Sequence, residues 1–600
     1  MFFMEAALEK LDESIKLNRS VNGKLWHLKE YDERHALAIS QKFSLPDIVA
    51  KILAMRGVEL EEIEDFLNPS IKSSLPDPSH LLDMDKAAGR LGKAVIGKEK
   101  IAVFGDYDVD GATSSAILKR FFRALEIDLE IYIPDRIEEG YGPSAEAFKT
   151  LKDNGNDIVI TVDCGTVAFE ALEAAKNYGL EIIVIDHHIG TEIIPDAVAI
   201  VNPNRIDETS PHRNLCAAGL AFLLVTAVNR ELRNKGFFKN KKEPDLLKFL
   251  DLVALGTVCD VMTLTGLNRS YVAQGLKVAN TRENVGLRAL ADVTGLEEAV
   301  NTYALGFILG PRINAGGRVG KSDLGARMLS TEDPDEAYEI AIELDKLNKE
   351  RKTLEELALE EATKAALDEG DDEPVLILGS KNWHQGVIGI VASRLKDIYD
   401  KPVAIISFDK GIGKASARSV NGIDLGAAVT QAKMEGILTK GGGHKMAAGF
   451  EIEEKNLEKF KKFLKKRLND DFLTYREQNS IGFEGILSPS GASLYLKTAL
   501  EALEPFGVGN REPKFLIKDA KIIKIDVFKD AHISCIIGDA SATGNPKTRL
   551  KTIAFRAVGT DLGNELLSLQ DKKFSLIGKL KENNWMGKKS VEFLIEDLIL

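Results

Sequence analysis

The stretch Phe104-Gly105-Asp106-Tyr107-Asp108-Val109-Asp110-Gly111-Ala112-Thr113-Ser114 crowds three carboxylates into five residues, directly after the apolar run Ile101-Ala102-Val103-Phe104. Alternate residues of a β-strand share a face, so Asp106, Asp108 and Asp110 converge if extended geometry continues through them. Converging carboxylates repel unless a cation lies between them, and the pattern therefore asks for a metal. The competing reading is a solvated turn whose aspartates cap the following helix. The choice depends on whether further ligands arrive at the same place.

Short apolar runs at 101–104, 129–133, 158–162 and 182–185 alternate with helical patterns, which predicts parallel strands joined by crossover helices. Each run ends in chemistry. Asp106 to Asp110 follow the first, Pro134-Asp135-Arg136 the second, Asp163-Cys164-Gly165 the third and Asp186-His187-His188 the fourth. Ligands of open parallel sheets bind outside the carboxyl ends of the strands, so these residues meet on one rim. A mostly apolar helix at 249–255 then runs into Gly256-Thr257-Val258-Cys259-Asp260.

Asp108, Asp110, Asp163, His187 and Asp260 thus make a mixed carboxylate and imidazole set. Carboxylates suit Mn²⁺ or Mg²⁺, the imidazole tilts the choice toward Mn²⁺, and the lack of paired thiolates disfavours zinc. Several carboxylates can hold two ions ~3.5–4 Å apart and activate a water against phosphorus. Singly, each residue has an ordinary explanation: Asp186 as a cap, His188 as a structural histidine, Asp163 in an Asx turn. Recurrence at successive strand ends is what favours a dinuclear site.

At 600 residues, a prior of ~150 per domain suggests three to five domains. The net charge of −13, with 28% charged and 44% apolar residues, carries no global basic signature for nucleic acid, although a local groove can exist on an acidic protein. Four scattered cysteines without Cys-x-x-Cys spacing indicate neither zinc nor a disulfide framework. The first residues lack a basic segment followed by a long apolar core, and no apolar run spans a bilayer. A cytoplasmic protein without membrane attachment is expected, and a monomer, since no heptad repeat or long exposed apolar face is evident.

Residues 1–90 read as helical, and 337–367 as one long charged helix strutting two lobes. A new α/β segment starts at Pro374. There Gly441-Gly442-Gly443 leaves backbone N–H groups open to a phosphate, with His444 beside it. Ser416 with Arg418, and Arg312 with Arg318, are candidate phosphate or sugar contacts, although a structural salt bridge is the more ordinary role of a single arginine. Runs at 520–527, 533–537 and 572–580 suggest a small β-barrel. From Arg511 onward 16 Lys and Arg face 12 Asp and Glu, which suits a single-strand nucleic-acid module or a merely solvated surface.

Asp106-Tyr107-Asp108-Val109-Asp110-Gly111, Asp186-His187-His188, Gly256-Thr257-Val258-Cys259-Asp260 and Gly441-Gly442-Gly443-His444 resemble the DHH superfamily of phosphoesterases with its DHHA1 second domain. Together with residues 310–318, 383–389, 415–419 and 504–510 and the terminal β-domain, they are similar to the RecJ family of single-strand-specific DNA exonucleases. The likeness runs from about Trp26 to Leu600. It implies an α/β fold: an N-terminal helical region (1–90), a parallel-sheet DHH domain (91–330), a long connecting helix (331–370), a smaller α/β DHHA1 domain (371–470), and a linker with an OB-fold-like β-barrel (471–600).

The same resemblance implies a metal-dependent 5′→3′ exonuclease that degrades single-stranded DNA to mononucleotides in recombination and mismatch repair. Two Mn²⁺ or Mg²⁺ would be held by Asp108, Asp110, Asp163, His187 and Asp260, with Asp106 supporting. Asp186, His188 and His444 would form the catalytic set, the two histidines facing the scissile phosphate. Arg136, Ser416 and Arg418 match positions that grip the 5′-terminal phosphate, Gly442 and Gly443 line the substrate, and Arg312 or Arg318 would contact the adjoining strand. A RecQ-type helicase and a single-strand-binding protein are the implied partners. Gln385, Gly316 and Arg511 depart from the family pattern, where proline, alanine and proline are usual. Two rivals remain: a phosphodiesterase of short oligonucleotides or cyclic dinucleotides, and a metal-free DNA-binding scaffold, which would need a broken ligand set.

Overall fold

The computed structural model describes residues 19–135, 139–140, 142–370, 372–539, 549–569, 572–585 and 587–600. Contacts divide the chain into two compact units, one of residues 69–475 with 507–509, the other of residues up to 68 with 476–506 and 510–600. Strand β1 (Leu25–Leu28) belongs to the latter.

In the larger unit β2 (Ile101–Gly105), β3 (Leu129–Tyr132), β4 (Ile158–Val162), β5 (Glu181–Ile185) and β6 (Ala199–Val201) form one parallel sheet in the order β3-β2-β4-β5-β6. Both faces are covered, so these strands read as unbroken apolar runs. Ile101 and Val103 pack on one side in a core with Phe121, Leu220 and Val253; Ala102 and Phe104 point to the other, with Phe148 and Leu172. The chain first goes from β2 to β3 and then returns past β2 to β4. The order therefore reverses between β2 and β4, and their carboxyl ends frame the crevice in which such sheets bind ligands.

The extended geometry expected through Asp110 stops at Gly105. Asp108 caps the helix Val109–Ala124, its Oδ1 accepting from the N–H groups of Asp110 and Gly111 at 2.9 and 3.1 Å. The capping reading is thus correct for Asp108, and a strand-to-helix turn, not strand alternation, disposes the three carboxylates. Gly111 makes the turn tight, because a Cβ there would overlap the Asp106 backbone. Likewise the helix expected at 249–255 continues to Cys259, and Asp260 is its C-cap.

The helix Pro334–Ala366 opens on the Asp333 cap and Pro334, the residue best preset for a first turn. Its 33 residues extend roughly 50 Å at 1.5 Å per residue. Near its middle, fully buried Glu355 pairs with Arg351 and with Arg394 of the helix Ile388–Tyr399, tying the strut to the next α/β layer. That layer holds β7 (Leu376–Ser380), β8 (Val403–Asp409), β9 (Ile412–Arg418), β10 (Lys440–His444) and β11 (Ala447–Glu453), in the order β10-β11-β9-β8-β7. The glycine run is therefore an edge strand, not a loop: Gly442 lies opposite Gly449 and Gly443 opposite Ala448.

In the other unit β1 pairs in parallel with β12 (Ser480–Phe483). The strands β13 (Gly485–Leu487), β14 (Phe515–Phe528), β15 (His532–Asp539), β16 (Leu550–Ala554), β17 (Phe574–Trp585) and β18 (Lys588–Ile599) follow in the order β13-β14-β15-β16-β18-β17, and a β14–β17 pairing closes the ring. This is the OB-fold-like barrel. The stretch expected to be a separate helical region contains a strand, and its helices Glu33–Phe43 and Asp47–Met55 share the barrel core through Ile39, Ile52 and Leu53 against Phe515 and Leu576. Among the described residues no helix is long and apolar enough to cross a membrane.

Candidate metal centre

The carboxyl ends of β2, β4 and β5 and the end of the helix Leu250–Cys259 meet at one rim. Three groups of residues each bring their ligand atoms within 4.8 Å of one another: Asp106, Asp108 and Asp163; Asp163, His187 and His188; Asp110, His187 and Asp260. Asp163 and His187 each belong to two of them. His187 Nε2 stands 3.0 Å from Asp163 Oδ1, 3.5 Å from Asp260 Oδ2 and 3.9 Å from Asp110 Oδ2.

Asp163 takes a left-handed backbone conformation, φ 63°, rare for a residue other than glycine, asparagine or aspartate. Asp110 is buried from the first turn of its own helix against the start of another: its oxygens accept from the N–H groups of Ala217 and Ala218 at 2.6 and 2.9 Å. Helix N-terminal N–H groups are unsatisfied donors with partial positive charge, which suits a carboxylate.

Asp186 differs from the others. Its Oδ2 accepts from Thr166 N–H at 3.0 Å; its Oδ1 accepts from the His187 and His188 N–H groups and lies 2.7 Å from His188 Nδ1. It thereby orients both histidines. Asn202 and Asn204 complete the loop by donating to the His188 carbonyl at 2.8 Å and to the His187 carbonyl at 2.6 Å. These asparagines end β6, a fifth strand end whose short run Ala199-Ile200-Val201 before Asn202-Pro203-Asn204 was the available signal.

The electrostatics fit a cation. Burial, then the charge of Asp108, raises the Asp110 carboxyl to about 7; burial, then Asp110 and Asp108, raises Asp260 to about 8. Asp163 is pushed well above the usual carboxylate range by burial and by Asp108 and Asp110. Asp260 Oδ2 is buried and accepts no hydrogen bond. Such a cluster is costly as bare anions and is relieved by divalent charge. Burial and the neighbouring His188 lower His187 to about 4, leaving the neutral imidazole that a metal requires. Burial lowers His188, but the Asp186 hydrogen bond and charge outweigh that and raise it to about 9. Asp186 is raised by burial and lowered by more through His188 and Thr166, ending well below the carboxylate range. Burial keeps the thiols of Cys164, Cys216 and Cys259 protonated.

Beside this rim lies a cleft of about 510 Å³ lined by Tyr107, Arg318, Gln385, Ser416, Arg418 and Gly443, among others. Arg418 Nη1 donates to Ser416 Oγ at 3.0 Å and to the Ala417 carbonyl at 2.9 Å. Arg318 donates to the Gly386 carbonyl at 3.1 Å. Gly442 and the exposed His444 lie on the same edge strand, β10, as Gly443. Arg312 is placed differently: it donates to Asp345 at 2.8 Å and to the Ile308 carbonyl at 2.7 Å, the ordinary structural role of an arginine. Arg136 lies outside the described residues. Tyr107 and Gln385 also line the cleft; in the sequence Tyr107 is marked only by lying inside a motif, and Gln385 only by departing from the family pattern.

The DHH family N-terminal domain model matches residues 100–257, the DHHA1 domain model 372–470 and the RecJ OB domain model 483–597. The single-stranded-DNA-specific exonuclease RecJ of Bacillus subtilis (strain 168) is 32% identical over 593 residues, covering 95% of this chain and 70% of that protein. The crystal structure of RecJ in complex with Mn²⁺ from Thermus thermophilus superposes with TM-score 0.78 at 28% identity, covering 96% of this chain and 79% of that one. The Mg²⁺ complex from the same source gives TM-score 0.72 at 28% identity, covering 95% and 77%. With all three domain models in order, and a carboxylate and imidazole rim able to hold metal, the chain belongs to the RecJ family of single-stranded-DNA-specific exonucleases.

Proposed function

We propose that the protein is a 5′→3′ exonuclease that hydrolyses single-stranded DNA to mononucleotides. The observation that carries this reading is the placement of Asp163 in two adjoining ligand groups beside a cleft lined by Arg318, Ser416 and Arg418. Asp108, Asp110, Asp163, His187 and Asp260 would hold two Mn²⁺ or Mg²⁺, with Asp163 common to two of the ligand groups and Asp106 supporting. When bound, the pair supplies a low-pKa water and charge for the phosphoryl oxygens.

The chain's own groups do the rest. Asp186 fixes His188 through Nδ1 and, in the metal-free protein, outweighs burial to raise the imidazole to about 9 by its hydrogen bond and charge, so that Nε2 would face the scissile phosphate as a donor to a developing oxyanion. His444 faces that phosphate from the edge of β10. Arg418 and Ser416, with Arg136, take a terminal 5′-phosphate in bidentate fashion, Gly442 and Gly443 allow its close approach, and Arg318 contacts the adjoining nucleotide. A pocket for the 5′ end at a set distance from the metals accounts for the polarity and the mononucleotide product. The same reading places the enzyme in the cytoplasm as a monomer, working in recombination and mismatch repair with a RecQ-type helicase and a single-strand-binding protein.

The test is single-stranded DNA labelled separately at each end, incubated with Mn²⁺ or Mg²⁺, with EDTA and blunt-duplex controls. Early release of mononucleotide from the 5′ end, abolished by EDTA and absent on duplex, is expected. Inert long strands beside rapid cleavage of dinucleotides would move the enzyme to small substrates.

A further inference from the structure

Tyr303 and Phe307 are large aromatic side chains that stand 63% and 70% exposed. Their rings stack on each other, with centroids 5.1 Å apart and planes 23° from parallel, which makes an exposed two-layer aromatic stack. Exposed rings of this size gain little from folding. Tyr303 leads into, and Phe307 lies within, the π-helical turn Ala304–Leu309, a rare form found mostly at functional sites.

This segment is held against the end of the helix Leu250–Cys259, which Asp260 caps. Cys259, the residue before Asp260, donates from its thiol to the Leu305 carbonyl at 3.5 Å. Gly310 permits that approach, since a Cβ there would overlap the Cys259 sulfur. Arg312 clamps the turn through the Ile308 carbonyl while paired with Asp345. The aromatic face and the Asp260 carboxylate therefore sit on two packed elements of one compact unit.

We propose that Tyr303 and Phe307 form a stacking platform for a nucleobase of the strand that reaches the metal centre. This rests on the nuclease reading above. The occupant is a base and not a protein side chain because a planar base extends the existing Tyr303–Phe307 stack, and the pair is borne on a turn packed against the helix that ends at Asp260. Stacking is indifferent to base identity, which suits an enzyme that must pass every sequence.

The experiment measures binding of fluorescent 5′-phosphorylated single strands to the full chain in Ca²⁺, with one abasic nucleotide moved stepwise along the strand. The wild type is expected to lose about tenfold in affinity at one register position. Tyr303→Ala combined with Phe307→Ala is expected to bind intact strands about tenfold more weakly and to become insensitive to the abasic position. Phe307→Trp retains the aromatic face and controls for folding; it should keep both the affinity and the position dependence. Wild-type affinity in the double variant, or no position dependence in the wild type, overturns the platform while leaving the nuclease reading intact. A wild type that neither binds nor cuts single strands overturns both. An effect of the double variant on capture of a protein partner, with DNA affinity unchanged, also overturns it.

Discussion

Asp163 Oδ1 lies 3.0 Å from His187 Nε2, and these two side chains join the three ligand groups into one centre. Removing either should therefore disable both metal positions. Asp163→Ala is expected to cost about 10³-fold or more in kcat at saturating Mn²⁺, the scale of several kcal/mol of transition-state charge stabilisation. Circular dichroism should show the chain still folded; turnover near the wild-type rate would reject the shared-ligand role.

The same residue sits in a restricted backbone conformation. At φ 63° its backbone suits aspartate or glycine better than alanine, and its carboxylate is crowded by its neighbours. Asp163→Gly should raise the thermal midpoint of metal-free protein above that of Asp163→Ala, by the equivalent of about 1 kcal/mol, because glycine adopts this conformation freely. Equal midpoints would show that the backbone there is not strained.

Proton and metal compete for this site. Asp110 and Asp260 have folded-state values of about 7 and about 8, raised from 3.8. In metal-free protein their contribution to stability is intact below about pH 4 and is lost as the pH rises through 7 to 8, because the folded state binds protons more tightly than the unfolded one. Mn²⁺ replaces those protons, so its stabilisation should grow from about pH 6 to about pH 8 in thermal melts. A Mn²⁺ effect independent of pH would contradict the cluster's shared titration.

Asp186 acts through His188. In metal-free protein, Asp186→Asn should let the His188 imidazole titrate well below about 9, read by NMR. The stability held by the pair is present between the unfolded values, about 4 for the acid and about 6.5 for the imidazole. It is lost above as the pH rises through about 9, and below as falling pH protonates Asp186. The variant's deficit should therefore be largest near about pH 5–6 and should shrink above about pH 9. An unmoved His188 titration would remove Asp186 from that role.

Two arginines should behave differently. Arg418→Ala is expected to erase any preference for a 5′-phosphorylated strand, because its guanidinium lines the cleft beside Ser416. Arg312→Ala should instead lower the melting temperature, leaving the mostly buried Asp345 with the exposed Lys349 as its one remaining ion-pair partner among the described residues, at a cost of about 1–3 kcal/mol. Its 5′-phosphate preference should be unchanged. Competition assays with and without the 5′-phosphate, run beside thermal melts, check both; an unchanged preference in Arg418→Ala would reject its assignment.

Much was legible in sequence because it depends on neighbours along the chain. The apolar runs and the rule that parallel sheets present ligands at their carboxyl ends sufficed to bring Asp108, Asp163 and His187 to one rim, although the strand period expected through Asp110 does not hold there. They also located the long helix and the terminal barrel. What needed the tertiary structure was each choice made by residues distant in sequence. Asp110 joins the centre from a helical turn by accepting from the N–H groups of Ala217 and Ala218, a contact no local pattern carries. Arg312 faces Asp345, 33 residues away, and not the cleft. The stretch near Trp26 pairs with a strand beginning at Ser480, so a region read as separate and helical shares a core with the barrel. Local periodicity records which face of an element is apolar; which distant partner buries that face, and how each carboxylate is satisfied there, is decided only when the chain closes on itself.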